Sequence, residues 1–217
     1  MIKVWGRKSS SNVQCLLWCL EELGLRYERI DAGFKYGVVD TPEYLKMNPN
    51  GTVPTLIDTD KDDGTARFES AALLRYLQSA YGEGTLKPST PTEQTTVDQW
   101  AEWAKINVAL NFTAPVFWRV VRTAPSKQDP QAIAAAVDTL EHYLAMANAR
   151  LARQPFLATD KLSIADIQFG HTLYRYYEID IQRAALNNVE QYYRRLCQRP
   201  AYRNTVMTSY EELRVTD

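Results

Sequence analysis

Residues 2–30 read as a strand, a helix and a strand in immediate succession, and this constrains the chain more than any other feature. "IKVW" alternates apolar and polar residues. Val13, Leu16, Leu17, Leu20 and Leu23 then recur at helical spacing, and Gly24 supplies a stop. "RYERI", residues 26–30, alternates again. Two strands joined by a helix within about 30 residues form a βαβ unit, so the strands are expected to be parallel with a right-handed crossover.

The pattern continues for about 50 residues and then changes. A Gly- and Pro-rich stretch includes one expected helical turn at 41–47. "VPTLID" and "ARFE" follow as strands joined by the polar turn "TDKDDG", which predicts a hairpin. A helix begins at Ser70, with Ala71, Leu73, Leu74, Leu77 and Tyr81 on its apolar face. Beyond Gly82 no strand alternation remains. The expected organisation is an α/β domain over residues 1–82, a linker over 83–91 and an all-α domain over 92–217. Helices are expected over 92–122, 130–153, 162–179, 187–197 and 200–212, with Pro115 kinking or dividing the first. "SIAD" (Ser163 to Asp166) fits a capping box, a structural signal that fixes the start of a central helix.

Three junctions of the first domain concentrate polar groups. "KSSSNVQ" lies where the first strand gives way to a helix, "NPNGTVP" opens a strand, and "FES" opens the next helix. Capping accounts for Ser and Asn at helix starts. The same unpaired N–H groups also hold a ligand's negative charge. Around Ser70 they suit a carboxylate, and Glu69 beside it suits an ammonium. A cis bond at Val53–Pro54 would turn the Val53 main chain outward, ready to pair with a peptide-like ligand. In α/β sheets ligands bind beyond strand ends, so three such junctions in one small domain carry more weight than any one of them.

Composition narrows the function classes. Hydrophobic residues make up 45% and charged residues 24%, and the net charge is −1. Charge balances on both sides of Gly82, so no nucleic-acid partner is expected. No apolar run suits a membrane span, and the N-terminus has no signal-peptide core, which together point to the cytoplasm. Cys15, Cys19 and Cys197 form no disulfide framework and are expected to serve packing. With only His142 and His171 beside them, no metal site is expected.

"SSSNV", "NPNGTVPTL", "FESAALLRYL" and "LSIADI" together resemble the cytosolic glutathione transferase family, in its bacterial serine-type (theta-, phi- or beta-like) classes. The resemblance spans essentially the whole chain. It implies a thioredoxin-like N-terminal domain, a helical C-terminal domain and a homodimer that conjugates glutathione to a small hydrophobic electrophile in detoxification. Glutathione would be a co-substrate, with no metal. By resemblance Ser10, flanked by Ser9 and Ser11, would activate the thiol with Asn12 beside it. Thr52, Val53 and a cis Pro54 would receive the cysteinyl part, and Glu69 and Ser70 the γ-glutamyl end. Thr52 stands where many relatives have Gln. Val39 and Asp40 stand where many have His or Lys for the glycyl carboxylate, with Lys35 or Lys46 as substitutes. Trp103, Phe112, Phe117 and Trp118 are the expected electrophile pocket. "SSSN" occupies the place of the thioredoxin Cys-x-x-Cys, which argues against dithiol exchange. Two alternatives are glutathione-dependent disulfide reduction, dehalogenation or isomerisation, and a non-catalytic interaction module on the same fold.

Overall fold

A computed structural model describes residues 1–217. Four strands, β1 (Ile2–Trp5), β2 (Tyr27–Ile30), β3 (Thr55–Asp58) and β4 (Arg67–Phe68), form one sheet in the order β2-β1-β3-β4. β1 and β2 are parallel, with Ile2 opposite Tyr27 and Trp5 opposite Ile30, as a βαβ unit requires. β3 runs antiparallel to β1, and β4 antiparallel to β3. Three helices complete this half: α1 (Ser11–Glu22), α2 (Pro42–Met47) and α3 (Ser70–Tyr81). α3 is held over the sheet by Asp58, whose buried carboxylate accepts hydrogen bonds from Tyr76 Oη at 2.7 Å and Tyr81 Oη at 2.6 Å.

The strands are shorter than the alternation suggests. β3 begins at Thr55, directly after the cis Val53–Pro54 bond, and neither of those two residues joins the ladder. β4 ends at Phe68 because Glu69 adopts φ +68°, which turns the chain directly into α3.

The second half is helical throughout. Where Pro115 was expected to divide a helix, the rod over 91–121 continues and widens instead. α4 (Pro91–Trp103) passes into i→i+5 turns at Ala104–Ala109. A short α5 (Leu110–Phe112), a second wide segment at Thr113–Trp118 and α6 (Arg119–Val121) follow. Pro115 lies in the second wide segment. A proline lacks the N–H for an i→i−4 bond and its ring collides with the i−4 carbonyl, and a wider turn relieves both. α7 (Pro130–Leu151) is capped by Asp129, which accepts from the N–H groups of Gln131 and Ala132 at 3.0 Å.

The helix expected over 162–179 is two helices, α8 (Ile164–Gly170) and α9 (Leu173–Glu178). At the break Thr172 Oγ1 donates to the Phe169 carbonyl at 2.8 Å, and His171 Nδ1 lies 3.3 Å from the Ile167 carbonyl. The Thr172 hydroxyl takes up the Phe169 carbonyl that the next helical turn would use. α10 (Asn187–Leu196) follows expectation. α11 (Pro200–Thr205) stops well short of residue 212, and Thr205 Oγ1 turns back onto the Ala201 carbonyl at 2.6 Å. The tail then returns to the rod, where the Val215 N–H meets the Val121 carbonyl at 2.9 Å.

One apolar core runs through both halves, with α1 in its middle. Trp18 stacks edge-on against Tyr202, with centroids 4.8 Å apart. Gly170 permits this approach: a Cβ there would lie 2.5 Å from Leu196 Cδ1 and 3.0 Å from Trp18 Cη2. Cys15 and Cys19 are fully buried beside it. Burial pushes the Cys15 thiol up to about 12 and Cys19 well above its ordinary value, so both thiols stay protonated.

Asp166 anchors the start of α8. Its buried carboxylate accepts from the Ser163 N–H at 2.9 Å, the Leu157 N–H at 2.7 Å and Tyr192 Oη at 3.0 Å. Burial raises its pKa to about 6 against the lowering effect of these bonds. Asp166→Ala would orphan two buried N–H groups and the hydroxyls of Ser163 and Tyr192. Denaturant unfolding of that variant is expected to show a loss of about 3–5 kcal/mol. A loss below about 1 kcal/mol would show that the network is replaceable.

Candidate active site

A cleft of about 310 Å³ opens where the first half meets the helical half. The β1–α1 turn forms its floor, with Ser9, Ser10, Ser11 and Asn12 contributing. Thr52 and Val53 form one wall, and Thr113, Trp118 and Arg122 of the helical rod form the opposite one. The second wide segment therefore carries Thr113 and Trp118 into the cleft. Wide turns of this kind recur at functional sites.

The hydroxyls of the floor are not equivalent. Ser10 occupies the N-cap position of α1 with extended backbone (φ −83°, ψ 123°), yet its side chain makes no capping bond. Its hydroxyl lines the cleft uncommitted, next to the unpaired N–H groups of the helix start. Ser9 is buried and its Oγ has no partner, while its carbonyl accepts from Arg175 Nη2 at 2.7 Å. Asn12 is exposed, and its Oδ1 lies 3.4 Å from Ser70 Oγ, which joins the starts of α1 and α3. Asn12 links the floor to the third junction in this way. Glu69 holds the N-cap position of α3, and its carboxylate reaches Lys105 Nζ of the helical half at 3.3 Å.

The wall is built around an open main-chain edge. Neither the N–H nor the C=O of Val53 enters a hydrogen bond within the chain. The Thr52 carbonyl beside it is fixed from behind by Tyr44 Oη at 2.6 Å and Asn48 Nδ2 at 2.8 Å. The edge is thus held rigid while its pairing groups face outward, an arrangement suited to an extended peptide-like ligand.

Of the four aromatics expected at an electrophile pocket, Trp118 lines this cleft. Phe112 and Phe117 lie in the core, packed on each other with centroids 6.0 Å apart. Trp103 packs on Trp100 and Phe169. Helical spacing of aromatics picks out the apolar face of the rod, and most of that face turns inward. Of the positions where many relatives hold the glycyl carboxylate, Val39 lines the cleft and offers no charge; of the two expected substitutes, neither lines it, and Lys35 is paired with Glu212 at 2.6 Å.

Three further arginines line the cleft that sequence reading does not single out: Arg7, Arg122 and Arg175. Arg7 and Arg122 flank the Phe34 ring, 5.5 and 5.7 Å from its centroid, and Arg122 also lies 4.7 Å from the Trp118 ring centre. The one available signal was Arg175 itself, a charge set within the apolar run "LYRYYEI".

Pro54, Glu69 and Ser70 do not line the cleft itself; Pro54 follows the Val53 edge, and Ser70 is tied to the floor through Asn12. The fold and cleft define a class: a thioredoxin-like sheet domain and a helical domain with a cleft between them, floored by the start of α1. Known proteins agree with this outline. Residues 9–80 match the family model for the N-terminal domain of glutathione S-transferases, and residues 110–200 match that for the C-terminal domain. The chain is 34% identical to glutathione S-transferase GstB of Escherichia coli (strain K12), covering 95% of this chain and 98% of that one. Its structure is similar to the crystal structure of the theta class glutathione S-transferase from Xanthomonas axonopodis pv. citri with glutathione bound, with TM-score 0.89 and 41% identity over 96% and 98% of the two chains. A more partial match is a probable elongation factor 1-gamma of Arabidopsis thaliana, 30% identical over 74% of this chain and 37% of that protein. The chain belongs to the glutathione S-transferase family.

Glu69 at φ +68° holds a conformation that L side chains rarely adopt, at a cost of about 1–3 kcal/mol. Glycine removes that strain and loses part of the gain to its larger unfolded-state entropy. Glu69→Gly is therefore expected to be about 1 kcal/mol more stable than wild type, read as a raised Tm. A lowered Tm would show that the Lys105 contact outweighs the strain.

Proposed function

We propose that this chain is a glutathione transferase whose thiol-activating group is the Ser10 hydroxyl. The observation that carries the reading is Ser10 at a helix start with its side chain unspent on capping, facing an open Val53 edge across one cleft. Glutathione lies extended along the wall. Its γ-glutamyl carboxylate meets Ser70 and the N–H groups at the start of α3, and Glu69 meets its ammonium. The Val53 N–H and C=O pair with the cysteinyl main chain, which directs the sulfur to Ser10. Asn12 joins the two ends of this track through its contact with Ser70.

A free thiol with pKa near 8.5 is only a few per cent thiolate at neutral pH. A hydroxyl donating to sulfur and the start of α1 behind it both favour the anion. Ser10 keeps its own proton, because donating a hydrogen bond is enough. The thiolate then attacks an electrophile held against Trp118. The family's usual homodimer is proposed here too. Ile106 and Leu110 are exposed and one helical turn apart, an apolar pair that a second copy would cover. The cytoplasm, where thiols remain reduced, fits three unpaired cysteines. The partial likeness to an elongation factor leaves the interaction module as the reading that failure to bind glutathione would favour.

The thiol of bound glutathione, titrated by its ultraviolet thiolate absorbance, is expected to lie about 1–2 units below that of free glutathione. Ser10→Ala should raise it by about one unit, worth about 1.4 kcal/mol. Activity at pH 6.5 should fall about tenfold in the variant, with the difference closing as the pH rises past the variant's thiol pKa. A wild-type thiol that titrates like free glutathione would overturn the mechanism. An unchanged thiol in Ser10→Ala would move the role to Ser9 or Ser11.

A further inference from the structure

Arg7, Arg122 and Arg175 line the same cleft, and its lining contains no acidic residue. None of the three forms a salt bridge with a carboxylate of the chain, although the molecule pairs arginines with acids elsewhere, as in Arg75 with Asp98 and Arg199 with Glu22. Arg175 is 97% buried, and its one hydrogen bond goes to the Ser9 carbonyl. Its Nε is buried with no partner, and so is the Nε of Arg7. Burial and the nearby Arg7 lower the Arg175 pKa to about 10. The acid that approaches the cluster, Glu212, is occupied by Lys35 at 2.6 Å. Arg7 and Arg122 are half-buried, but Arg175 is a buried charge with no acid partner; buried charges are ordinarily paired, so an anion in the cleft would complete the cluster. Phe34 between Arg7 and Arg122 has φ +57°, a strained position that keeps its ring between the two guanidiniums.

We infer that the cleft selects an electrophile bearing a carboxylate, held by Arg122 and Arg7 over the Phe34 and Trp118 rings, with Arg175 supplying fixed positive charge beneath. This deepens the function proposed above and rests on it. The site then joins two chemistries: the serine floor stabilises the attacking thiolate, and the arginines hold a second anion that would otherwise repel it. Planar guanidinium groups lying over aromatic faces suit a flat carboxylate-bearing ring. For an aryl chloride with a ring carboxylate, the thiolate sulfur forms a C–S bond to the carbon bearing chlorine. The C–Cl bond then breaks and chloride leaves with the electron pair. The thiol proton goes to solvent, and the carboxylate is unchanged throughout.

The test compares 4-chloro-3-nitrobenzoate with 4-chloro-3-nitrobenzamide, which share the reacting carbon and differ in charge. Calorimetry gives the Kd of glutathione and of its two S-aryl conjugates for wild type, Arg122→Gln and Arg122→Lys. kcat/KM for the two chlorides is normalised to each uncatalysed rate. In wild type the carboxylate conjugate should bind about tenfold tighter than the amide conjugate, with the same preference in normalised kcat/KM. Arg122→Gln should cut that ratio several-fold, and Arg122→Lys should restore part of it. Equal affinity for the two conjugates in wild type overturns the inference and leaves glutathione binding standing. If Arg122→Gln weakens glutathione and both conjugates equally, the arginine holds a carboxylate of glutathione itself and the inference falls. A raised thiol pKa with an unchanged carboxylate preference would assign Arg122 to the thiolate, with the same consequence. Wild type that binds neither glutathione nor a conjugate overturns both this inference and the function beneath it.

Discussion

The helical half grips α1 at both ends, and the site depends on that grip. At the N-terminal end Arg175 donates to the Ser9 carbonyl at 2.7 Å. At the C-terminal end Arg199 donates to both oxygens of Glu22, at 2.7 and 2.6 Å. Between them Trp18 packs on Tyr202 and against the Gly170 notch. The serine turn is therefore held by the second domain as well as by its own strand. The role proposed for Ser10, meeting a sulfur within hydrogen-bond distance, needs such support, because small displacements cost catalysis heavily.

The same arrangement bears on the role proposed for Ser10. A helix start leaves N–H groups unpaired, and a serine there ordinarily satisfies one of them. Here the hydroxyl turns into the cleft. The helix start and its serine therefore both face the position an anion would take. Capping and anion binding are two uses of one physical feature, and the surrounding walls decide between them.

Much of the fold was legible in the sequence. Period-two and period-3.6 patterns marked the βαβ unit, the hairpin and the helical half, and they fail where a local rule is overridden. Pro115 widened a helix, and the hydroxyl of Thr172 ended another, because side-chain chemistry competed with the backbone pattern. Of the residues that line the cleft, Ser10, Asn12, Thr52 and Val53 were legible because each sits at a junction between elements, marked by polar residues or by a proline. Tyr44, Asn48, Arg7 and Arg122 lie inside otherwise ordinary segments, and nothing in their local pattern marks them; Arg175 shows only as a charge within an apolar run.

The sequence by itself determined the order of most elements, the change from strands to helices alone and the polar junctions, because each is a property of near neighbours along the chain. The tertiary structure alone decided which groups share the cleft. It put Trp118 on the wall and sent Phe112 and Phe117 into the core. It joined Asn12 to Ser70, 58 residues apart, and brought Arg175 beneath Ser9, 166 residues away in the chain. The physical reason is that packing against distant elements selects the exposed face of each helix, and a charge left unpaired in a cleft is visible only when every possible partner has been placed.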